Sequence, residues 1–468
     1  MSRRIGFGVF EVGGPQVGGT ISWNHPRSRG TEFLDLAHWV EMARLLDEAG
    51  FDFLFFAGGP FTYPAVGGEL SEDLVRAGMG SGIDATYFIP SMAAATRRLG
   101  FVVTSTTGSD HPLFTVRKFQ TLDHLTGGRI GWNVVTGSSQ DTHAAMMGHR
   151  EMVAHDDRYA VAAEYVDLAL RFWEGSWEDG GLVLDAEKGV FADPAKLHKV
   201  VHEGEHYRSS GWLTAPPGPQ VSPLLFQAGT SEAGREFAAR YAEGVFVQGS
   251  TVDLTRANVA DIRARAAAHG RDPRALKVYV GVSVVTAATT EEAVAQRREF
   301  DDLQTDELAA AYYAGNTGVD LLALDPDRTL EQLVDGGPAS RGGAVGQMGR
   351  SNIERFLPRD GRPAPTVREV LDQLKGRGTR GFPLTGSGAD VARQLEELVD
   401  ATDLDGVMVE PVFDLASLTD VVEFVFPHLR AHGRLDPAPP GGSFRERVTG
   451  AGPRLASTHP GARLRPGA

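Results

Sequence analysis

The sequence predicts an α/β fold, a (β/α)8 TIM barrel with insertions. Eight short runs rich in β-branched and aromatic residues recur along the 468 residues. Longer amphipathic segments fall between them, the alternation expected of parallel strands covered by crossover helices. Glycine is abundant, at 57 residues and without a collagen period, which implies many tight turns. A doubly wound open sheet is the alternative use of the same alternation.

In chain order the strands fall at residues 5–10, 51–56, 101–105, 130–135, 224–228, 244–247, 278–285 and 406–409. Each is a nearly continuous apolar stretch, as a strand buried on both faces requires. The helices read as 35–49, 116–125, 156–173, 231–241, 252–269, 290–313 and 415–432. About 120 residues separate the last two strands, far beyond an ordinary βα connection, so the larger insertion, about 317–385, belongs there. It contains the Gly-rich stretch 329–349 and the Pro/Arg-rich stretch 355–365, compositions that suit either a lid or a surface excursion. A second insertion, about 175–223, reads as a hairpin with loops. The chain is thus expected to be a single domain, 1–468, and composition alone would leave its Pro/Gly/Arg-rich tail, 433–468, disordered.

Charge and composition exclude several function classes. Lys and Arg number 46 against 61 Asp and Glu, a formal net charge of −15, which argues against a dedicated nucleic-acid or anionic-membrane binder. There are no cysteines, so disulfides, thiolate metal sites and thiol nucleophiles are excluded. The start of the chain lacks the apolar core of a secretory signal, and its longest apolar run, 51–57, is far short of the roughly 20 residues that span a membrane. A cytoplasmic location is expected.

The clearest local signal lies at 226–237, where a strand runs into Gly229, Thr230, Ser231 and then a helix. Gly229 lets the backbone approach a ligand, and a helix N-terminus capped by Thr230 or Ser231 suits a phosphate. A plain N-cap with Glu232 in the first turn is the structural alternative. On the fourth strand Asn133 interrupts an apolar run, and an inward amide there needs a ligand or a core partner. The third strand ends in a hydroxyl cluster, Thr104 to Thr107, fit for a polar ring and also typical of plain strands. His111, His143, His149 and His155 lie near strand ends as acid/base candidates, though any one of them is more often structural. No metal is expected, for there is no His-Glu-x-x-His, and neither a Gly-x-Ser-x-Gly elbow nor a phosphate-binding P-loop occurs.

Read together, Asp110-His-Pro112, the run from Arg117 through Asp123-His-Leu-Thr-Gly-Gly-Arg-Ile-Gly-Trp-Asn133 to Thr136, and Gln227-Ala-Gly-Thr-Ser-Glu-Ala-Gly-Arg-Glu-Phe237 resemble one family. It is the bacterial-luciferase-like flavin monooxygenases, in the branch of nitrilotriacetate, dibenzothiophene-sulfone and dimethyl-sulfide monooxygenases. The likeness continues through Asp156-Asp-Arg-Tyr159, Gly315-Asn-Thr-Gly-Val-Asp320 and Phe426-Pro-His-Leu429 to Phe444-Arg-Glu-Arg447, so the tail reads as that branch's C-terminus rather than as disorder.

The resemblance implies a homodimeric or homotetrameric barrel that uses FMN, as FMNH2 supplied by a separate NAD(P)H-dependent flavin reductase. With O2 it would oxygenate a small organic, sulfur- or nitrogen-bearing substrate through a peroxyflavin, the protein positioning and shielding the flavin. It further implies that Thr104 contacts the isoalloxazine region, that His155, Tyr159, Thr230 and Ser231 hold the phosphate end, and that Asn133 lies beside the ring. One departure stands out: where the branch often has an acid after the second strand, this chain has Gly58, which leaves only a backbone contact. The catalytic acid or base is not legible, with His111 the one candidate. The alternatives are a deazaflavin (F420)-dependent oxidoreductase of the same superfamily and a non-catalytic flavin-binding protein.

Overall fold

The structure is a computed structural model of the chain. It describes residues 3–58, 63, 65–66, 69–137, 144–150, 153–247, 249, 251–317, 319–329, 356, 363–377, 381–436 and 441–467; of residues 65–66, 155, 315–316 and 376–377 it describes the backbone alone.

Eight parallel strands close into a barrel: β1 (Gly6–Glu11), β2 (Phe53–Phe56), β3 (Gly100–Thr106), β4 (Ile130–Val135), β5 (Leu224–Ala228), β6 (Gly244–Val247), β7 (Lys277–Ala287) and β8 (Gly406–Val409). Each pairs with its sequence neighbour, and β8 returns to β1 with Gly8 opposite Met408, so no open sheet remains. The outer layer includes α1 (Leu36–Ala49), α2 (Glu72–Arg76), α3 (Ile89–Ala94), α4 (Pro112–Thr126), α5 (His155–Gly175), α6 (Glu232–Tyr241), α7 (Val252–Ala268), α8 (Thr290–Asp302) and α9 (Asp306–Thr317). It continues with α10 (Val367–Arg377), α11 (Gly388–Thr402), α12 (Leu415–Asp420), α13 (Phe426–Ala431) and α14 (Phe444–Thr449). Among the described residues no helix is long and apolar enough to cross a membrane.

Three expectations are corrected. The helix expected over 290–313 is two helices, α8 and α9, because Gln304 between them spends its amide on the backbone of Ile21: Oε1 accepts from its N–H at 2.8 Å and Nε2 donates to its carbonyl at 2.7 Å. The helix expected over 415–432 carries a π turn at Val421–Val425. Pro427 lacks the N–H that an unbroken α ladder would need there. Strand β7 outruns its expected length, since its C-terminal half pairs with a ninth parallel strand, Phe382–Ser387, contributed by the end of the large insertion. Elsewhere in that insertion α10 packs with α9 in a small separate core around Tyr313, Leu321, Phe356 and Val370. Residues 330–349, whose composition suits either a lid or a surface excursion, lie outside the described residues.

The described part of the tail, residues 441–467, plugs the barrel's N-terminal end. Phe444 is fully buried 5.8 Å from Phe53 and 6.3 Å from Phe226, between ring centroids. It fits because Gly100 and Gly131 have no side chains: a Cβ at Gly100 would lie 2.5 Å from its ring. Next to it Arg445, 0 % exposed, pairs with Glu243 at 2.8 Å and donates to the carbonyls of Gln220, Ser222, Pro223 and Pro453. With the bottom sealed by aromatic packing, only the C-terminal end of the barrel is open to chemistry.

Candidate functional site

At that end β3 and β4 run in register, with Thr104 opposite Asn133. Asn133 donates from Nδ2 to Thr104 Oγ1 at 2.9 Å, and Thr104 Oγ1 donates to Phe56 O at 2.8 Å. Asn133 is 2 % exposed, yet its Oδ1 has no hydrogen-bond partner. An orphaned buried acceptor costs about 1–3 kcal/mol, so the amide is placed for a donor that arrives with a ligand. Gly58 follows β2 with φ +70°, and a Cβ built on it would lie 3.4 Å from that of Thr104. An acidic residue here would therefore be strained, and the chain offers the ligand bare backbone instead.

A second feature forms where α5 and α6 begin. Ser231 is the N-cap of α6, its Oγ accepting from Gly234 N at 3.1 Å. Tyr159, the fifth residue of α5, hydrogen-bonds Ser231 and accepts from Gln227 Nε2 at 3.4 Å, and burial pushes its phenol above the usual value. Gly229 is required, for a Cβ there would meet Gln227 Nε2 at 2.6 Å and the Tyr159 hydroxyl at 3.0 Å. Thr230 lies half-buried in the same turn, its carbonyl held by Arg235 Nη1. Two helix N-termini thus converge on a glycine turn lined by hydroxyls, an arrangement suited to a phosphate.

Of the residues read from the sequence, Tyr159, Thr230 and Ser231 come together here, and Thr104, Asn133 and Gly58 gather at the mouth. His155 opens α5, and its side chain lies outside the described residues, as does His143. His111 is exposed at the N-cap of α4, where its Nδ1 accepts from Leu113 N at 3.2 Å. His149 is exposed in the loop after β4. Two site residues were missed. Gln227, 2 % exposed with an unpartnered Oε1, faces Tyr159 from β5. Arg158 reaches from α5 to Gly137 O at 3.1 Å, and burial lowers its pKa from the ordinary arginine value. The Asp-Asp-Arg-Tyr stretch was the only signal for Arg158.

Residues 16–404 match the model of the luciferase-like monooxygenase family. The chain belongs to this family. Dimethyl-sulfide monooxygenase of Hyphomicrobium sulfonivorans is 34% identical over 99% of this chain and 94% of its own length. Its solved structure superposes with a TM-score of 0.88 over 99% of this chain and 96% of that one. Component A of nitrilotriacetate monooxygenase from Aminobacter aminovorans is 31% identical over 97% of this chain and 98% of its own length. A riboflavin lyase structure holding modified FMN and riboflavin is 36% identical, with a TM-score of 0.90 over 99% of this chain and all of that one. By this membership the chain is a flavin-dependent monooxygenase. The orphaned Asn133 Oδ1 at the mouth and the hydroxyl-lined turn at Gly229 fit the ring and the phosphate of such a cofactor.

Proposed function

We propose that the chain is the oxygenase component of a two-component system, taking FMN as FMNH2 from a separate NAD(P)H-dependent flavin reductase and using O2 to oxygenate a small organic substrate. In our reading it works in the cytoplasm as a homodimer or homotetramer. The observation that carries the choice of FMN is the Gly229–Thr230–Ser231 turn beneath the Tyr159 hydroxyl, where two helix N-termini meet. A phosphate fits there and an unphosphorylated flavin leaves it unused. Thr230 and Ser231 would hold the phosphate with Tyr159 and His155, and Thr104, Asn133 and the Gly58 backbone would hold the ring.

Bound reduced flavin supplies the electrons that activate O2. The chain's share is to bind, orient and exclude water. The Thr104 hydroxyl, tied to Phe56 O, fixes the Asn133 amide so that its Oδ1 presents a preset acceptor. Beside it, Phe10 stacks on Phe55 at 5.6 Å and on Phe246 at 5.3 Å, an apolar floor that keeps water from the reacting face.

The test is to supply FMNH2 from a flavin reductase held behind a dialysis membrane, under 18O2, to dimethyl sulfide, nitrilotriacetate and riboflavin. These are substrates that the relatives' names carry. One 18O atom appearing in a product supports the reading. Flavin oxidation that yields only hydrogen peroxide with every substrate contradicts it. Riboflavin belongs in the set because of the riboflavin lyase likeness.

A further inference from the structure

A two-stranded arm leaves the plugged end of the barrel between α5 and β5. It opens where α5 ends, at Gly175, beside the C-terminal tail: a Cβ on Gly175 would lie 3.0 Å from Leu464 O, and Arg454 pairs with Asp179. His198 N donates to Ser176 O at 2.8 Å and Glu178 N to Lys196 O at 2.9 Å, and the buried Trp177 donates from Nε1 to Leu213 O at 2.9 Å. The root is therefore fixed. Farther out the strands Leu182–Asp185 and Val190–Ala192 pair antiparallel, and from Leu182 to Ala192 no side chain is buried. Their register, with Leu182 opposite Ala192 and Asp185 opposite Val190, sets two residues, Val183 and Leu184, against Phe191 alone. Leu184 takes up the extra residue at φ +53°, a left-handed conformation that suits glycine. It is 62 % exposed, and Phe191 is 63 % exposed.

A hairpin packed on nothing is marginal in water, and a leucine in the left-handed region is strained. Contiguous apolar surface of this kind marks a contact with a partner. Charge and position say which. The tip carries one cation, Lys188, against Asp185 and Glu187, and Lys188 pairs with Asp185 at 2.9 Å. Two copies of this chain, each at −15, repel one another, so a contact between them has to lie on near-neutral apolar surface such as this. A flavin reductase gains nothing by docking here, because the proposed flavin site lies at the opposite, open end. Size agrees as well: residues 176–198, with Trp212 57 % exposed beside the root, match the roughly 20–30 residues that one side of a stable interface uses.

We propose that the arm, residues 176–198, is a contact between copies of this chain, each tip burying Val183, Leu184 and Phe191 against a second copy in a twofold, self-complementary interface. This rests on the homo-oligomer reading and gives it a surface. The bulge at Leu184 is part of the device, because it sets two apolar side chains against Phe191 where a regular strand would set one.

The experiment is sedimentation velocity of the full-length chain with FMN over a dilution series, for the unaltered chain, Phe191→Asp and Leu184→Gly. Phe191→Asp should halve the mass of the assembly, dimer to monomer or tetramer to dimer. The dissociation constant of that step should rise at least about hundredfold, since the substitution acts twice in a twofold contact. Glycine suits φ +53°, so Leu184→Gly keeps the fold, and it should raise the same constant about tenfold. FMN binding, at the other end of the barrel, reports that each variant is folded. A monomeric unaltered chain overturns the proposal together with the homo-oligomer reading. An assembly that both variants leave intact overturns the arm's role alone, and the homo-oligomer reading stands. An intact assembly whose variants take up flavin from the reductase more slowly also overturns it and assigns the arm to the reductase.

Discussion

Thr104 and Asn133 face each other across β3 and β4, and the amide of one donates to the hydroxyl of the other at 2.9 Å. The hydroxyl's single proton is already committed to Phe56 O at 2.8 Å, so Asn133 must offer its NH2 to Thr104 and turn its Oδ1 away. That settles which end of the amide faces an incoming ligand. Thr104→Val removes the anchor while keeping the shape. FMN affinity should fall about tenfold and thermal stability by about 1 kcal/mol, measured by flavin fluorescence quenching and by thermal unfolding. Unchanged affinity would show that the pair does not orient the amide for the flavin.

Ser231 serves two ends at once, capping α6 and lining the proposed phosphate turn. Ser231→Ala should cost about 1 kcal/mol of stability as a lost cap. It should also lower FMN affinity while leaving riboflavin affinity unchanged, narrowing the ratio of the two. A ratio equal to that of the unaltered chain would place the phosphate elsewhere.

His459 gives the fold an acid limit. Burial first, and then the charge of Arg271, push its imidazole down to about 3. Its Nε2–H donates to Tyr241 O at 2.8 Å and its Nδ1 accepts from Gly461 N at 3.0 Å, so the ring is neutral. In the unfolded chain the ring takes up a proton near its ordinary 6.5, whereas the folded chain resists until about 3. The unfolded state therefore binds more protons across that window, and stability falls as the pH drops through it. Unfolding temperatures measured from pH 7 to pH 4 should decline, and His459→Asn should flatten that slope even though it lowers stability at pH 7.

Arg445 and Glu243 are both sealed beneath the barrel, the arginine at 0 % exposure. Arg445→Met leaves the carboxylate of Glu243 buried and without its cation, which should cost about 3–5 kcal/mol. Adding Glu243→Gln should recover part of the loss. Chemical denaturation of the single and double variants measures both terms.

The barrel was legible because its strands are buried on both faces and read as apolar runs, and the Gly-Thr-Ser turn was legible because a glycine and two hydroxyls sit between a strand and a helix. What escaped was set by tertiary contacts. The strand Phe382–Ser387 contains a proline and a glycine and exists only because β7 offers it an edge. The break between α8 and α9 has no proline or glycine to mark it; it follows from the bond between Gln304 and the distant Ile21.

The most direct test of the flavin-monooxygenase account is an anaerobic mix of the protein with photoreduced FMN, followed by oxygenated buffer in a stopped-flow spectrometer. The account predicts that the protein slows flavin reoxidation well below the rate in free solution and that Thr104→Val partly restores the free rate. Reoxidation at the same rate with and without the protein would contradict it.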